Sequence, residues 1–147
     1  TKNEVRARII ERAMVPMEKP MIHLAVSPTK QLDRFEWLLE KCTELGVHRI
    51  TPLITARTER ERVRGDRMEK IIVAAMKQSQ RAWLPQLDPP MALDRFITAQ
   101  LPAQRFFGWC EGDRADLVHR FDKSQAVLML IGPEGDFTGE EARATAH

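Results

Sequence analysis

Residues 126–138 read Ala-Val-Leu-Met-Leu-Ile-Gly-Pro-Glu-Gly-Asp-Phe-Thr, and Glu141 follows Thr138 by three positions. From Ala126 to Ile131 the side chains are all apolar, with no polar alternation. Such a run fits a strand buried on both faces rather than one that shows a face to water. Gly132 to Gly139 then interrupts regular structure. Thr138 with Glu141 has the spacing of a capping box, which opens a helix toward His147. A buried strand passing through a glycine-containing loop into a helix is a building block of a parallel α/β sheet.

The same alternation runs upstream. Met21 to Val26 reads as a buried strand, and Ser27-Pro28-Thr29 suits a helix start. Phe35, Leu38, Leu39, Cys42 and Leu45 follow helical spacing, and Gly46 falls where a left-handed cap is expected. His48 to Ile54 reads as a second strand. After an Arg-rich loop, Asp66 with Glu69 predicts a capped helix whose inner face is Met68, Ile71, Ile72, Ala75, Met76 and Ser79, ending by Leu84-Pro85. Asp88-Pro89-Pro90 opens a short helix near Met91 to Ile97. Gln104 to Trp109 is a third strand, and a helical segment around Asp113 to Arg120 leads into the fourth, Ala126 to Ile131. The prediction is an α/β domain with a mainly parallel sheet and helices on both faces. Thr1 to Met17 reads as a strand or tail, and Pro16 to Pro20 as a linker.

The chain has 147 residues, 43% of them hydrophobic, which is one ordinary domain with enough apolar mass for a core. Lys plus Arg is 23 and Asp plus Glu is 21, a net charge of +2. That balance excludes a histone-like polycation and an acidic disordered tail, while a local Arg cluster keeps a nucleic-acid partner open. Cys42, Cys110 and four scattered histidines make no metal-ligand spacing, so no metal is expected. The absence of a disulfide framework points to a reducing, cytoplasmic compartment. The longest apolar run, six residues, is far short of the roughly 20 a membrane span needs, and the charged N-terminus has no signal-peptide core. The chain starts without Met, as an excised or trimmed piece would.

Two readings of the glycine loop are open. Ligands of open α/β sheets bind at the carboxyl ends of strands, and Gly132 and Gly135 would let a backbone approach a ligand closely. A plain strand-to-helix turn uses the same residue types. The loop has no Lys and does not match a phosphate-binding P-loop. Glu134, Asp136, Glu140 and Glu141 would repel a triphosphate and admit a neutral or cationic ligand such as S-adenosylmethionine. A second signal is Arg57 to Arg67, with five Arg against three acids. These either pair with phosphate or form a solvated, self-paired loop. Gln78 and Arg81 either face the same cleft as the glycine loop or close a helix whose dipole favours Arg81. Glu36, Lys41 and Glu44 read as surface pairing on the first helix. No GxSxG, HExxH or Cys-His arrangement supports hydrolase chemistry, and Trp37, Trp83 and Trp109 read as core or semi-buried anchors rather than base-stacking platforms.

Three segments together resemble one family: Glu36 through Lys41 to Glu44-Leu45-Gly46-Val47 with Ile50-Thr51-Pro52-Leu53; Ala74-Ala75-Met76-Lys77-Gln78-Ser79 with Arg81 and Pro85; and Ile131 to Thr138 with Glu141. They are similar to the RsmE family, enzymes that methylate N3 of a uridine in 16S ribosomal RNA with S-adenosylmethionine. The resemblance covers roughly Met21 to the end. It implies a SPOUT domain with a trefoil knot that forms the methyl-donor pocket, a homodimer with the active site near the interface, and an N-terminal PUA-like RNA-binding domain. On that basis residues 1–17 are a remnant of the PUA-like domain and linker, and 18–147 a SPOUT methyltransferase domain. The family's knot-threading segment lies beyond the helix that ends here, so the knot is expected to be incomplete in this chain. The resemblance places Leu130, Ile131, Gly132, Pro133, Glu134 and Gly135 at the cofactor. It places Gln78 and Arg81 at catalysis, and Lys30, Arg34, Arg57 and Arg60 at RNA. The implied partner is 16S ribosomal RNA or the assembled small subunit. Two other classes stay open: a non-catalytic α/β RNA-binding or dimerisation module, and a SPOUT RNA methyltransferase with another target nucleotide.

Overall fold

Residues 6–60, 62–111 and 116–145 are described in the computed structural model of the chain. Their elements are β1 (Ile22–Val26), α1 (Leu32–Leu45), β2 (Arg49–Ile54), α2 (Gly65–Gln78), β3 (Gln86–Leu87), β4 (Met91–Ala92), α3 (Leu93–Ile97), β5 (Gln104–Gly108), α4 (Leu117–Arg120), β6 (Val127–Ile131) and α5 (Gly139–Thr145). The sheet order is β3-β2-β1-β6-β5, and β4 joins β2 beyond β3. Every pairing among these strands is parallel. The registers Val26↔Ile131 and Gly108↔Ile131 bring β1, β6 and β5 to a common end. The loops that follow the strands therefore meet at one rim.

Alternate residues of each strand serve opposite layers. On one face Leu24, Val26 and Ile50 pack with Phe35 and Leu39 of α1 and Met68 and Ile72 of α2. On the other, Ala25, Leu53, Leu128 and Leu130 pack with Leu93 and Phe96 of α3 and with Phe137. This is the α/β architecture with helices on both faces that the apolar runs predict. The first helix follows its pattern: Phe35, Leu39 and Thr43 are its buried stripe. It ends in a Schellman motif, with Gly46 at φ 84°, Gly46 N–H donating to Thr43 O (3.1 Å) and Val47 N–H to Cys42 O (2.9 Å). Lys41 bonds Glu40 (2.8 Å) and Glu44 (2.9 Å), as expected of surface pairing. Glu36 ties α1 to α2 through Arg67 Nη2 (2.8 Å).

Several expectations are corrected. The capping box at Asp66 and Glu69 does not form, because α2 begins at Gly65 with Arg64 at its cap, two residues ahead of Asp66, and no side-chain cap bond. The Asp66 carboxylate is instead drawn to the Arg64 guanidinium (2.8 Å), a stronger charge-assisted bond. The segment before the third helix is not a plain loop. It forms β3 and β4, two short pieces of one edge strand bridged by Asp88 N–H donating to Ile50 O (2.9 Å). Prolines 89 and 90 interrupt it, which an edge position tolerates. The helix expected near Met91 starts only at Leu93. Residues 6–17 are exposed and carry neither strand nor helix, while the expectation for Thr1 to Val5 lies outside the described residues. So do residues 112–115 of the segment around Asp113 to Arg120, of which Leu117–Arg120 is helical, and the approach to His147.

Candidate functional site

The rim at the carboxyl ends of the strands is organised around residues 131–141. Ser27 N–H donates to Ile131 O (3.0 Å), which fixes the exit of β6 beside that of β1. Asp136 N–H closes a turn onto Pro133 O (2.9 Å). Asp136 itself sits at φ 61°, a left-handed conformation that Asp adopts more readily than most residues. Gly132 has no room for a side chain: a Cβ there would lie 2.9 Å from the Phe137 ring. That ring is buried and packs on Phe107 at a centroid distance of 4.4 Å. Gly132 therefore serves the close approach of an internal aromatic ring. A Cβ at Gly135 would meet Arg57 Cδ at 3.4 Å, an ordinary contact.

The acids of this loop are hydrogen-bond acceptors for the neighbouring loops. Glu134 Oε1 accepts from Lys30 N–H after β1 (3.0 Å). Asp136 Oδ2 accepts from Cys110 N–H after β5 (2.9 Å). Glu141 Oε1 accepts from Ala56 N–H after β2 (2.8 Å). The capping box predicted for α5 is present, with Thr138 N–H donating to Glu141 Oε2 (2.8 Å) and Glu141 N–H to Thr138 Oγ1 (3.2 Å). Partial desolvation pushes the Asp136 carboxyl up, but the amides of Cys110 and Phe137, with Arg57 nearby, outweigh it and hold the group below the usual carboxylate range. Arg57 adds a further tie, its Nη1 donating to Gly135 O (2.6 Å).

The structure sorts the arginine cluster. Arg64 is paired with Asp66 within the segment, as the self-paired reading has it, while Arg67 reaches out of it to Glu36 of α1. Arg57 clasps the glycine loop. Arg60 Nε donates to Lys30 O (3.1 Å), and Lys30 Nζ meets Glu59 at 2.8 Å. Lys30, Glu59, Arg60 and Arg62 line an open cleft of about 510 Å³. Thus Lys30, Arg57 and Arg60 are brought to the glycine loop, and Arg34 is exposed in the first turn of α1. Leu130 is buried and Ile131 is 40% exposed at the same rim. Ser27 Oγ, which the sequence suggested only as part of a helix start, is buried there without a hydrogen-bond partner among the described residues. A second cleft of about 330 Å³ opens between the end of β2, α3 and α5, lined by Thr55, Ala56, Leu93 and Glu141 among others.

Gln78 and Arg81 are not brought to that rim. Gln78 ends α2, and Arg81 packs against Gly46 just before β2 begins. Both lie at the amino ends of the strands, about 15 Å from the loop, given five residues per strand at ~3.3 Å each. The expectation of a shared cleft within one chain is corrected by this topology: a helix following a parallel strand returns to the sheet's opposite end. Arg81 donates from Nε (3.0 Å) and Nη2 (2.7 Å) to Glu44 O at the C-terminus of α1, and from Nη1 to Glu18 (2.9 Å). The dipole-capping reading of Arg81 fits, but on α1 rather than on its own helix.

A buried polar chain also lies toward that end, on the α3 face. His23 Nε2 bonds Thr51 Oγ1 (2.8 Å), Thr51 bonds Asp88, and Asp88 receives Arg49 Nε (2.7 Å) and Gln86 Nε2 (2.9 Å). Burial, and then Arg49, lower the His23 pKa to about 4 against the opposing pull of Asp88. His23 is therefore neutral, and Asp88 locks the edge strand to β2. Among the described residues no group of three or more His, Cys, Asp or Glu side chains has metal-binding geometry, and no helix is long and apolar enough to cross a membrane.

A family model described as RNA methyltransferase domain matches residues 17–147. A Rickettsia conorii protein named ribosomal RNA small subunit methyltransferase E is 26% identical over 148 residues, covering 99% of this chain and 60% of that protein. A solved structure of a probable rRNA-methyltransferase from Porphyromonas gingivalis shares 34% identity at a TM-score of 0.83, covering 92% of this chain and 58% of that one. Ribosomal RNA small subunit methyltransferase E from Neisseria gonorrhoeae, solved bound to S-adenosyl methionine, shares 26% identity at a TM-score of 0.77, covering 91% and 58%. The chain thus spans about 60% of the length of these relatives.

Proposed function

The chain belongs to the RNA methyltransferase domain family that its residues 17–147 match, and from that premise we propose that it is the catalytic part of a SPOUT-type enzyme methylating N3 of a uridine in 16S ribosomal RNA. The observation that carries the reading is the rim itself: a strand-to-helix loop at the carboxyl edge of a parallel sheet, tied by hydrogen bonds to the loops of three other strands. The residues there fit S-adenosylmethionine as cofactor. Ile131 offers exposed apolar surface, Ser27 an unpartnered hydroxyl, and the acids a field that suits a cation. Leu130, Ile131, Gly132, Pro133, Glu134 and Gly135 would hold it, mainly through their peptide groups. When bound, it supplies an electrophilic methyl group.

The rest of the work falls to the chain's own side chains. Lys30, Arg34 and Arg60 would hold RNA phosphates, giving salt-sensitive binding. Arg57 keeps the glycine loop in shape. The target uridine must leave its stack to reach the rim. A catalytic role for Gln78 and Arg81 needs a homodimer, because only a second copy brings their end of the sheet to a glycine loop. There Arg81 would stabilise negative charge on the uridine as N3 loses its proton. Residues 1–17 would then be the exit of a PUA-like RNA-binding domain, and 18–147 the methyltransferase domain.

Titration calorimetry of S-adenosylmethionine tests the reading, with this chain beside a version carrying the family's C-terminal segment, followed by methylation of 16S RNA. Binding by the extended version, with methyl transfer to uridine N3, is the expected result. Binding by neither leaves a non-catalytic module, and transfer to another nucleotide retains the enzyme but removes its substrate assignment.

A further inference from the structure

The cleft beside the glycine loop has a structure of its own. Lys30 is fixed at both ends of its backbone: its N–H is held by Glu134 (3.0 Å) and its carbonyl by Arg60 Nε (3.1 Å). The lysine side chain therefore swings from a stationary Cα. Its ammonium is parked on Glu59 at 2.8 Å, with both side chains more than half exposed. Glu59 draws the Lys30 pKa above its usual range. Among the described residues the other cations of the cleft are not similarly neutralised. Arg60 spends only Nε on Lys30 O, and Arg62 makes no hydrogen bond or ion pair among the described residues. Three cations and one carboxylate thus line a cleft of about 510 Å³.

We propose that this cleft is a phosphodiester subsite for RNA, and that Glu59 stands in the place of the phosphate in the free protein, releasing Lys30 when the nucleic acid arrives. The inference rests on the RNA-binding reading above and adds Arg62 as a contact and Glu59 as a built-in competitor. An exposed ion pair contributes little to stability, so exchanging a carboxylate for a phosphate costs little free energy. The exchange also has a purpose. A bare three-cation cleft would capture any polyanion, whereas an internal acid lowers non-specific affinity and leaves a ligand that also engages the glycine loop less affected.

The experiment measures binding of a short uridine-rich single-stranded RNA across a salt series, for the wild-type chain, Glu59→Gln, Lys30→Ala and the double variant. These side chains are exposed, so folding is unaffected and is checked by circular dichroism. Glu59→Gln is expected to bind about three- to tenfold tighter, with a salt slope steeper by about one counterion. In the Lys30→Ala background that gain should vanish. A gain that persists there reflects net charge alone and overturns the proposal, as does a Glu59→Gln variant that binds no tighter. Tripolyphosphate, followed through the backbone amide resonances of Lys30 and Arg62, separates the two levels. If it shifts those amides more in Glu59→Gln while RNA does not bind, the subsite stands and the RNA reading fails. If neither probe is held, the subsite is overturned.

Discussion

At the scale of single residues, Gly132 has little freedom. Alanine there places a methyl 2.9 Å from a buried ring that is itself wedged against Phe107. Overpacking of this kind costs about 1–3 kcal/mol. Gly132→Ala should therefore lower the unfolding free energy read from urea titration by that amount, while Gly135→Ala, with ordinary clearance, should be close to neutral. His23 gives a pH prediction. Its folded-state pKa of about 4 lies below the ordinary value of 6.5, so the unfolded chain binds the extra proton. The stabilisation is complete above pH 6.5 and is lost as pH falls toward 4, amounting to about 3 kcal/mol at the acid end. Asp88, also shifted down by its hydrogen bonds and Arg49 in spite of burial, adds to the acid loss below the usual carboxylate range. Denaturant midpoints at pH 7 and pH 5 should differ in the wild type and converge in His23→Gln. The sequence makes Gly46 legible, because a periodic apolar stripe runs straight into it. Gly132 is legible only as a place where something comes close. That the visitor is Phe137, five residues on, depends on a turn geometry no local pattern specifies.

At the scale of elements, α5 depends on one acid. Glu141 closes the capping box with one oxygen and holds the loop after β2 with the other. Glu141→Ala removes both bonds and should cost about 1–3 kcal/mol. Thr138→Ala, which loses only the hydroxyl side of the box, should cost about 1 kcal/mol. Urea unfolding of the two variants gives the comparison, and equal losses would mean that the bond to Ala56 contributes nothing. The long elements were readable because periodicity needs several turns or alternations to declare itself. Two-residue strands flanked by prolines declare nothing, so β3 and β4 emerge only from their pairing with β2. The failed capping box at Asp66 has a related cause: spacing shows which partner a side chain can reach, and Arg64, two residues back, offers a stronger one.

For the whole molecule, sheet order sets a gradient of protection. β1 is paired on both sides by β2 and β6, whereas β3 and β4 hold the edge with two residues each. In hydrogen exchange the amides of Leu24 and Leu128 should be the slowest, with Leu87 and Ala92 at least about tenfold faster. Uniform exchange across the sheet would show that the edge is held by more than its ladder and the Asp88 network. The parallel architecture was written in the apolar runs. The placement of Gln78 and Arg81 was not, because helical spacing is silent about which end of a sheet a helix returns to.

The acids at 134, 136 and 141 receive amides from loops far apart in the chain, at positions 30, 110 and 56. Few loop positions at the rim can then change alone. A substitution that tilts the segment at Cys110 alters the acid loop, and through it the worth of any change near Lys30 or Ala56. Double-variant cycles between the Cys110 and Ala56 loops should be non-additive, and related chains should exchange these segments as matched sets rather than one at a time.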